Sequence, residues 1–310
     1  MRRGVVVFRW VWDLPLFVSS ILFFFFLHLH FLAYQGGLTD DTQAWRDVRE
    51  YGAKGDGHTD DTEAIQRAIS DGDRCSIDCD AKDVRPVTVY LPSGSYLISS
   101  TISLSPGTEI LGNVSFIRVV ASNGFVLMST QPEELPRLVA APSFVGGALL
   151  ASSVYTGAQP EWYVDSDNHY QSVRNLVVDI RKSSQKTSIA GIHWRAYRGS
   201  LLDNVRFYAT NPASEPSTTQ LGLYVENGSG GVLSQLMFIG GKYGLYTGTQ
   251  QFTSSSLHFK NCETALYIDR DWGLTMQKTV IDGCDTGVTV GLQGAGVSWL
   301  PSLLPAGAYP

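Results

Sequence analysis

The sequence predicts an all-β protein, a right-handed single-stranded parallel β-helix with a short N-terminal capping helix. The first observation is a repeat of 21–22 residues, and the second is that each repeat contains short segments of alternating apolar and polar residues. The third is one amphipathic helical segment that precedes the repeats. Each repeat is expected to form one coil, because a propeller blade needs about twice this length.

The repeat is clearest in four segments in which a small residue is followed by alternating side chains. They begin at Gly222, Gly244, Ala265 and Gly287, at intervals of 22, 21 and 22 residues, and a weaker copy begins at Gly191. A second strand is predicted before each copy, in the segments 175–180, 204–209, 235–240, 256–261 and 278–283. Each coil therefore contains two or more short strands and no helix.

The alternation also predicts which side chains leave the core. Two outward columns are expected because side chains of a strand point to opposite faces in turn. The first column consists of His193, Tyr224, Tyr246, Tyr267 and Thr289, and the second consists of Arg195, Glu226 and Asp269. Adjacent coils lie ~4.8 Å apart, so three stacked tyrosines would cover ~10 Å of the outer face.

The capping helix is predicted by the segment 51–69, YGAKGDGHTDDTEAIQRAI. Its aspartates lack EF-hand spacing, no Gly-Lys-Ser/Thr follows as in a phosphate-binding loop, and nothing nearby supplies a cleft for a catalytic carboxylate pair. Asp60 and Glu63, three residues later, form a predicted capping box for a helix from Asp61 to Ser70. Such a helix would cover the apolar end of a β-helix.

The N-terminal segment 1–38 is predicted to be a secretory signal peptide or an uncleaved signal anchor. Its arginines precede an uncharged run from Leu14 to Leu27, which is shorter than the ~20 residues of a membrane-spanning helix. We therefore expect a secreted protein, or one held at the membrane only if the segment stays uncleaved. Residues 39–290 form the predicted β-helix domain. The non-repetitive tail, 291–310, is expected to mark a truncation point.

Charge and cysteine content limit the function classes. The net charge of −6 and the lack of any Lys/Arg cluster argue against nucleic-acid binding, and no cofactor or metal site is predicted. Cys75 and Cys79 are close enough for a small-loop disulfide. Cys262 and Cys284 occupy equivalent positions in neighbouring coils, where a bridge and a pair of buried thiols both remain open.

Several of these segments resemble a known family. The 51–69 motif followed by VYLPSGSYLISSTI resembles the N-terminal signature of pectate-lyase-superfamily β-helix proteins. The segments GIHW, NGSGG, GGKYGLYTGTQQFT, NCETALYI and DWG resemble the fungal exo-β-1,3-glucanases (glucan 1,3-β-glucosidases) of glycoside hydrolase family fifty-five, over Arg46 to Val290. The resemblance implies two β-helices flanking a cleft, inverting hydrolysis of β-glucan that releases glucose, and a general acid on a second helix outside this chain.

The resemblance also implies site residues. His193 and Arg195 stand where glutamine-like side chains that hold the attacking water are expected, and are the catalytic candidates. The substrate-binding candidates are Tyr224, Tyr246, Gln250, Gln251, Tyr267, Asp271 and Trp272. A structural role remains open for each kind of residue. Arg195 could form a surface ion pair with Glu226, and the tyrosines could pack against the second β-helix that the resemblance implies. The glutamines could form a ladder of side-chain amides along the coils, and Asp271 could stabilise a turn.

Two functions of different class follow. The first is a secreted β-1,3-glucan hydrolase of which this chain carries the first β-helix. The second is a catalytically inactive β-helix module that binds polysaccharide or mediates assembly. A pectate-lyase-like enzyme would need a calcium-binding carboxylate cluster and an arginine base on one face, and the sequence contains no such cluster.

Overall fold

The part of the chain that can be described is almost the whole predicted β-helix. The computed structural model describes residues 44–72, 74, 86–113, 116–120, 126–130, 135–152, 168–184 and 188–291, with the backbone alone at 116–120 and 126–130. The predicted signal peptide or anchor, Cys75, Cys79 and the predicted tail after Gly291 lie outside the described residues.

Strands dominate the described residues, and α1 (Thr62–Ser70) is the helix found there. No helix in this part of the chain is long and apolar enough to cross a membrane. The strands are β1 (Trp45–Asp47), β2 (Asp56–Asp60), β3 (Val87–Leu91), β4 (Ser95–Ser103), β5 (Thr108–Gly112), β6 (Phe116–Val120), β7 (Val126–Thr130), β8 (Arg137–Ala151), β9 (Ser172–Asp179), β10 (Ala190–Trp194), β11 (Leu201–Tyr208), β12 (Leu221–Val225), β13 (Val232–Ser234), β14 (Met237–Ile239), β15 (Tyr243–Gln250), β16 (Thr253–Ser255), β17 (His258–Lys260), β18 (Thr264–Trp272), β19 (Thr275–Gln277), β20 (Val280–Asp282) and β21 (Thr286–Val290).

Parallel pairing between successive coils confirms the predicted parallel β-helix. Nineteen strands join in one sheet, and β6 and β7 form a separate antiparallel pair. Leu223 of β12 pairs with Ile192 of β10 on one side and with Leu245 of β15 on the other. The same column continues through Leu266 of β18 to Val288 of β21. The register is therefore the one that the sequence repeat predicts.

A column of residues with left-handed backbone conformation bends the coils, within β9 and β11 and between the second and third strands of the later coils. Asn175, Asn204, Gln235, Ser256 and Lys278 all have φ between 52° and 59°. Asparagine tolerates this conformation better than most residues, and the Asn204 amide donates to the Asn175 side-chain oxygen at 2.9 Å. The bend lets a coil contain three strands, for example β12, β13 and β14.

The interior is built from stacked identical side chains. Phe207, Phe238 and Phe259 lie in register on β11, β14 and β17, with ring centroids 4.9 and 4.8 Å apart and planes within 9°. Ile281 of β20 continues this column but is 39% exposed, whereas the three phenylalanines are buried. Val288 likewise continues the leucine column at 53% exposure. The last described coil thus leaves its core-facing side chains partly open to solvent.

Glycines allow the coils to approach the phenylalanine stack. A Cβ on Gly222 would lie 2.6 Å from the Gly244 carbonyl oxygen and 2.8 Å from Phe238 Cδ1. A Cβ on Gly287, the equivalent position in the last coil, would meet only Ile281 Cδ1 at 3.7 Å. The same residue type is thus sterically required in one coil and not in the other.

We expect Gly222→Ala to lower the free energy of unfolding by about 3 kcal/mol, because neither the neighbouring backbone nor the packed ring can move away. Gly287→Ala is the matched control and should change it by less than about 1 kcal/mol. Urea unfolding followed by far-UV circular dichroism measures both. Equal effects of the two substitutions would contradict this account of the glycine column.

Helix α1 closes the first end of the core, as predicted. Ala64, Ile65, Ala68 and Ile69 are buried in the main core cluster. Gly55 has φ of 63°, which the tight loop before the helix requires.

The predicted capping box is wrong. The N-cap is Asp61, and its carboxylate accepts hydrogen bonds from the backbone N–H groups of Lys54 (2.6 Å) and Gly55 (3.0 Å) rather than from the helix. Glu63 is exposed and pairs with Arg67. The carboxylates of this motif therefore hold the loop and the helix start together. None of their contacts involves a residue predicted for the site.

Candidate functional site

The predicted catalytic candidates lie at the end of β10. Ile192 and Trp194 point into the core, so His193 and Arg195 take the opposite face. The Arg195 backbone N–H donates to Ser152 Oγ at 2.6 Å, which fixes the chain where it leaves the strand. The alternation of β10 thus places an imidazole and a guanidinium side by side on the outer face.

Both side chains converge on one carboxylate. His193 Nε2 lies 2.9 Å from Glu226 Oε2, and Arg195 Nη1 lies 3.7 Å from the same oxygen. The His193 side chain is fully buried, whereas that of Glu226 is 25% exposed. A buried donor and a mostly buried cation therefore orient a carboxylate that remains open to solvent.

Aromatic rings continue from His193 across the next three coils. His193 stacks on Tyr224 with centroids 4.8 Å apart, and Tyr246 stacks on Tyr267 at 4.6 Å. Tyr224 meets Tyr246 edge-on at 5.5 Å, and Tyr243 meets both Tyr246 and Tyr267 edge-on. These rings form a cluster distinct from the main core.

The burial of this column differs from the sequence prediction. Tyr224 and Tyr246 are 1% and 4% exposed, because each has a ring face covered by a neighbouring aromatic side chain. The three tyrosines are in the predicted register on the outward side of their strands. The expectation that all three cover the outer face is wrong for Tyr224 and Tyr246, while the half-buried Tyr267 keeps part of its surface open. The assignment of all three tyrosines to substrate binding stays a prediction.

Burial also fixes the protonation of the tyrosine cluster. It raises the pKa of Tyr246, and the nearby Asp269 carboxylate raises it further. Burial raises the pKa of Tyr243 as well. Both phenols therefore stay protonated near neutral pH and keep their hydrogen-bond donors.

A charged row runs beside the aromatic cluster. Between β15 and β18 the register shifts after Thr247, so that Gly248 pairs with Arg270. The Arg270 guanidinium donates to the Glu226 carbonyl oxygen at 3.4 Å and lies 3.6 Å from the Asp269 carboxylate. A Cβ on residue 248 would lie 3.1 Å from the Glu226 carbonyl oxygen, so glycine keeps this crossing open. Arg195 and Glu226 of the predicted second column are in contact, but Asp269 does not continue the column, because the register shift leaves it between paired residues and puts Arg270 opposite Gly248.

The remaining predicted residues lie at the far ends of the same strands. Gln250 pairs with Trp272, whose side chain is 66% exposed, and the Gln251 backbone N–H donates to the Trp272 carbonyl oxygen at 2.9 Å. The Asp271 carboxylate accepts from the Leu274 backbone N–H at 2.7 Å, as the turn role requires. Gln250 lies four residues beyond Tyr246, roughly 13 Å along the strand.

The structure therefore brings the candidates together in two groups on one outer face. His193 and Arg195 contact Glu226, and the tyrosine rings extend from His193. The amide and indole side chains stand at the other end of β15 and β18. Carboxylate and guanidinium groups supply the acceptors and donors that sugar hydroxyls need, and an exposed indole supplies an apolar face. Among the described residues no group of three or more His, Cys, Asp or Glu could hold a metal ion.

Sequence reasoning missed the central position of Glu226, which it considered only as an ion-pair partner. The signal was present in the column of Arg195 and Glu226, but the contact with His193 depends on a diagonal across two coils. Arg270 was missed because an extra residue in β18 changes the register there.

Comparison with known proteins shows which protein family this β-helix is similar to. Residues 45–289 match the family model described as rhamnogalacturonase A/epimerase, pectate lyase-like. A Penicillium expansum protein named non-secreted LysM effector LysM15 is 44% identical over 256 residues, which are 83% of this chain and 17% of that protein.

Two further relatives have names of glucan-degrading enzymes. A probable glucan endo-1,3-beta-glucosidase of Arthroderma benhamiae is 35% identical over 82% of this chain and 26% of its own length. A glucan 1,3-beta-glucosidase of Cochliobolus carbonum is 34% identical over 79% and 29%. The chain thus spans less than a third of each of these three relatives. Since the family model covers 45–289 and the coils there have the predicted register, the chain belongs to the rhamnogalacturonase A/epimerase, pectate lyase-like family of β-helix proteins.

Proposed function

We propose that this β-helix binds β-1,3-glucan on the face around Glu226 and supplies one side of a hydrolytic site. The observation that carries the proposal is the Glu226 carboxylate, held by His193 and Arg195 and open to solvent. Two relatives named for β-1,3-glucan hydrolysis match the region that contains it. We also propose that the protein is secreted and acts outside the cell.

The charges of the site support a polysaccharide rather than a strongly charged ligand. Two carboxylates, Glu226 and Asp269, alternate with two guanidinium groups, Arg195 and Arg270, so neither sign dominates. Neutral sugars present hydroxyls that accept from guanidinium N–H groups and donate to carboxylates. The exposed Trp272 indole, on the same face, supplies a surface on which a sugar ring packs.

The proposed chemistry is exo-acting hydrolysis with inversion. Inversion needs one group that protonates the leaving oxygen and another that holds the water. We assign water positioning to the cluster of His193, Arg195 and Glu226, and the general acid to a second β-helix. One relative's name specifies endo action. Release of glucose rather than oligosaccharides from laminarin, with the α-anomer as first product by NMR, tests the exo and inverting parts.

Glu226→Gln tests the centre of the site. The substitution keeps the size of the side chain but removes the charge, so the affinity for β-1,3-gluco-oligosaccharides should fall by about tenfold or more, as expected for charged hydrogen bonds. Calorimetric titration measures the affinity. Glu63→Gln, on the exposed face of α1, is the matched control and should leave it unchanged. Unchanged affinity in both variants would remove Glu226 from the binding site.

Trp272→Ala tests the far end of the same face. Loss of the indole surface should weaken binding by about tenfold. Tyr170→Ala is the matched control, because Tyr170 is 69% exposed and precedes β9, which pairs with β5, β8 and β11 rather than with the strands that contain Gln250 and Trp272. An equal loss in both variants would indicate a nonspecific effect of removing exposed aromatic surface.

The alternative is a module that binds glucan without cleaving it. It is favoured by the resemblance, which places the general acid outside this chain. Because the proposed general acid lies on a second β-helix, laminarin is incubated with a protein that contains both this chain and that β-helix. Glucose release then supports the hydrolase, and binding without release supports the module. Failure to bind β-1,3-glucan, with the far-UV spectrum of a folded β protein, would overturn both.

A further inference from the structure

A pair of thiols connects the last two described coils. Cys262 precedes β18 by two residues and Cys284 precedes β21 by two residues, and Thr264 pairs with Thr286. The two cysteines are therefore direct neighbours across the coils. The Asp285 backbone N–H donates to the Cys262 carbonyl oxygen at 3.3 Å, and the Cys262 backbone N–H reaches Cys284 Sγ at 3.3 Å.

This placement suits a disulfide. Neighbouring parallel coils hold equivalent Cα atoms ~4.8 Å apart, and disulfides join Cα atoms ~4.4–6.8 Å apart. Both residues are free thiols here. The sulfurs accordingly lie within reach of each other without movement of the backbone.

The two thiols differ in reactivity. Cys262 is buried, and this burial raises the pKa of its thiol, with the neighbouring Cys284 sulfur adding to the effect. Cys284 is half-buried. An external oxidant therefore reacts with Cys284 first, and Cys262 lies where its thiol can attack the mixed disulfide that forms on Cys284.

We propose that Cys262 and Cys284 form an oxidative modification site, at which a low-molecular-weight disulfide such as oxidised glutathione converts them into a disulfide that ties the last coil to the preceding one. The Cys284 thiolate attacks one sulfur of oxidised glutathione, forms a mixed disulfide and releases one glutathione thiolate. The Cys262 thiolate then attacks the Cys284 sulfur, forms the intramolecular bond and releases the second glutathione. Two cysteine thiols are oxidised, one oxidised glutathione is reduced to two thiols, and the two cysteine protons pass to the released thiolates.

The bond would act in a described coil whose core-facing side chains are partly exposed. Ile281 and Val288 of the last coil are 39% and 53% exposed, whereas their counterparts in the preceding coil, Phe259 and Leu266, are buried. Strands β19, β20 and β21 pair with β16, β17 and β18 on one side. A covalent link across this pairing restricts the opening of the coil.

To test the proposal, the purified full chain is incubated in buffers with an increasing ratio of oxidised to reduced glutathione. The remaining thiols are then alkylated, and the chain is analysed by tryptic peptide mapping. Cleavage after Lys260, Arg270 and Lys278 separates the cysteines onto two peptides. We expect one cross-linked species that joins them, with the mass of two hydrogen atoms lost and both sites protected from alkylation. Hydrogen exchange in β20 and β21 should slow in the oxidised chain relative to the reduced one.

Three results would overturn the proposal: both cysteines fully alkylated at every ratio, Cys284 arrested as the glutathione mixed disulfide, or Cys262 linked to Cys75 or Cys79. The wild-type peptide map decides among them without any variant. Cys284→Ser is the control, in which the cross-linked species and the slowed exchange should both be absent. Slowed exchange in oxidised C284S would show that the protection has another cause.

Discussion

Phe238→Ala should lower the free energy of unfolding by about 3–5 kcal/mol, the largest stability effect that we expect from the interior. The Phe238 ring is fully buried and has one neighbour on each face, Phe207 at 4.9 Å and Phe259 at 4.8 Å. Truncation removes two ring stacks and leaves a cavity in the middle of a column. The surrounding coils cannot collapse into that cavity, because their spacing is fixed by backbone hydrogen bonds on both sides.

The same column contains its own control. Ile281 continues it on β20 but is 39% exposed, so Ile281→Ala removes less buried surface and opens no closed cavity. We expect it to cost less than about 1.5 kcal/mol. Urea unfolding of both variants, followed by far-UV circular dichroism, provides the comparison. Similar losses would show that stability does not depend on depth within the stack.

The coil register could be predicted from the sequence because its signal is repeated. Each copy that begins at Gly222, Gly244, Ala265 or Gly287 has the same alternation, and a shift by one residue would turn every apolar side chain outward. The strands β13, β16 and β19 could not be separated in the same way. Each has only three residues, too few for alternation to distinguish a strand from a turn.

The N-terminal helix illustrates the limit of local motifs. Its position was predicted to within one residue, because the apolar spacing of Ala64, Ile65 and Ile69 determines the buried face. Asp60 accepts from the Thr62 N–H at 3.1 Å, but the reciprocal capping box was wrong, because the N-cap is Asp61 and Glu63 pairs with Arg67. Which carboxylate turns toward the loop amides depends on the folded loop, since Asp61 reaches the N–H groups of Lys54 and Gly55.

The sequence predicts on which side of the strands the candidate site residues lie, but it does not predict which of their side chains contact one another. Alternation places His193, Tyr224 and Glu226 on the outer side of their strands, and the structure agrees. Alternation does not tell what covers that side, so the burial of His193 and Tyr224 was missed. Contacts between coils that run diagonally, such as His193 to Glu226, depend on the rotamers that the packed rings allow.

Arg46→Met should lower the free energy of unfolding by about 3 kcal/mol, although Arg46 is distant from the aromatic core. The Arg46 side chain is buried, and its guanidinium donates to the carbonyl oxygens of Ala68 (2.7 Å), Ile69 (3.3 Å) and Asp71 (2.7 Å). These carbonyls end α1, where no further turn supplies N–H donors. A positive charge at the negative end of the helix dipole adds to the stabilisation.

Two opposing effects decide the size of this loss. Methionine keeps most of the apolar length of the side chain and relieves the desolvation of a buried charge, which favours the variant. Against this, the carbonyl oxygen of the buried Ala68 loses its guanidinium donor, and a buried unsatisfied acceptor costs about 1–3 kcal/mol. Arg74 still donates to the Ile69 carbonyl oxygen at 2.8 Å, and the exposed Asp71 loses a charged hydrogen bond that water replaces in part. The second effect is larger, and the net loss is about 3 kcal/mol.

Arg67→Met on the same helix is the matched control. Arg67 is more than half exposed, pairs with the exposed Glu63 at 3.4 Å and donates to the Tyr51 carbonyl oxygen at 2.7 Å. Both contacts are exposed to solvent, and each is worth about 1 kcal/mol or less. The difference between the two variants in urea unfolding therefore isolates the buried contacts of Arg46 from any effect of arginine on helix propensity. Because α1 covers the core at Ile65 and Ile69, the Arg46 variant should also expose these residues to faster hydrogen exchange at the N-terminal end. Faster exchange there without a change in β20 and β21 would locate the loss at the cap, whereas a uniform change along the β-helix would show that Arg46 acts through the fold as a whole.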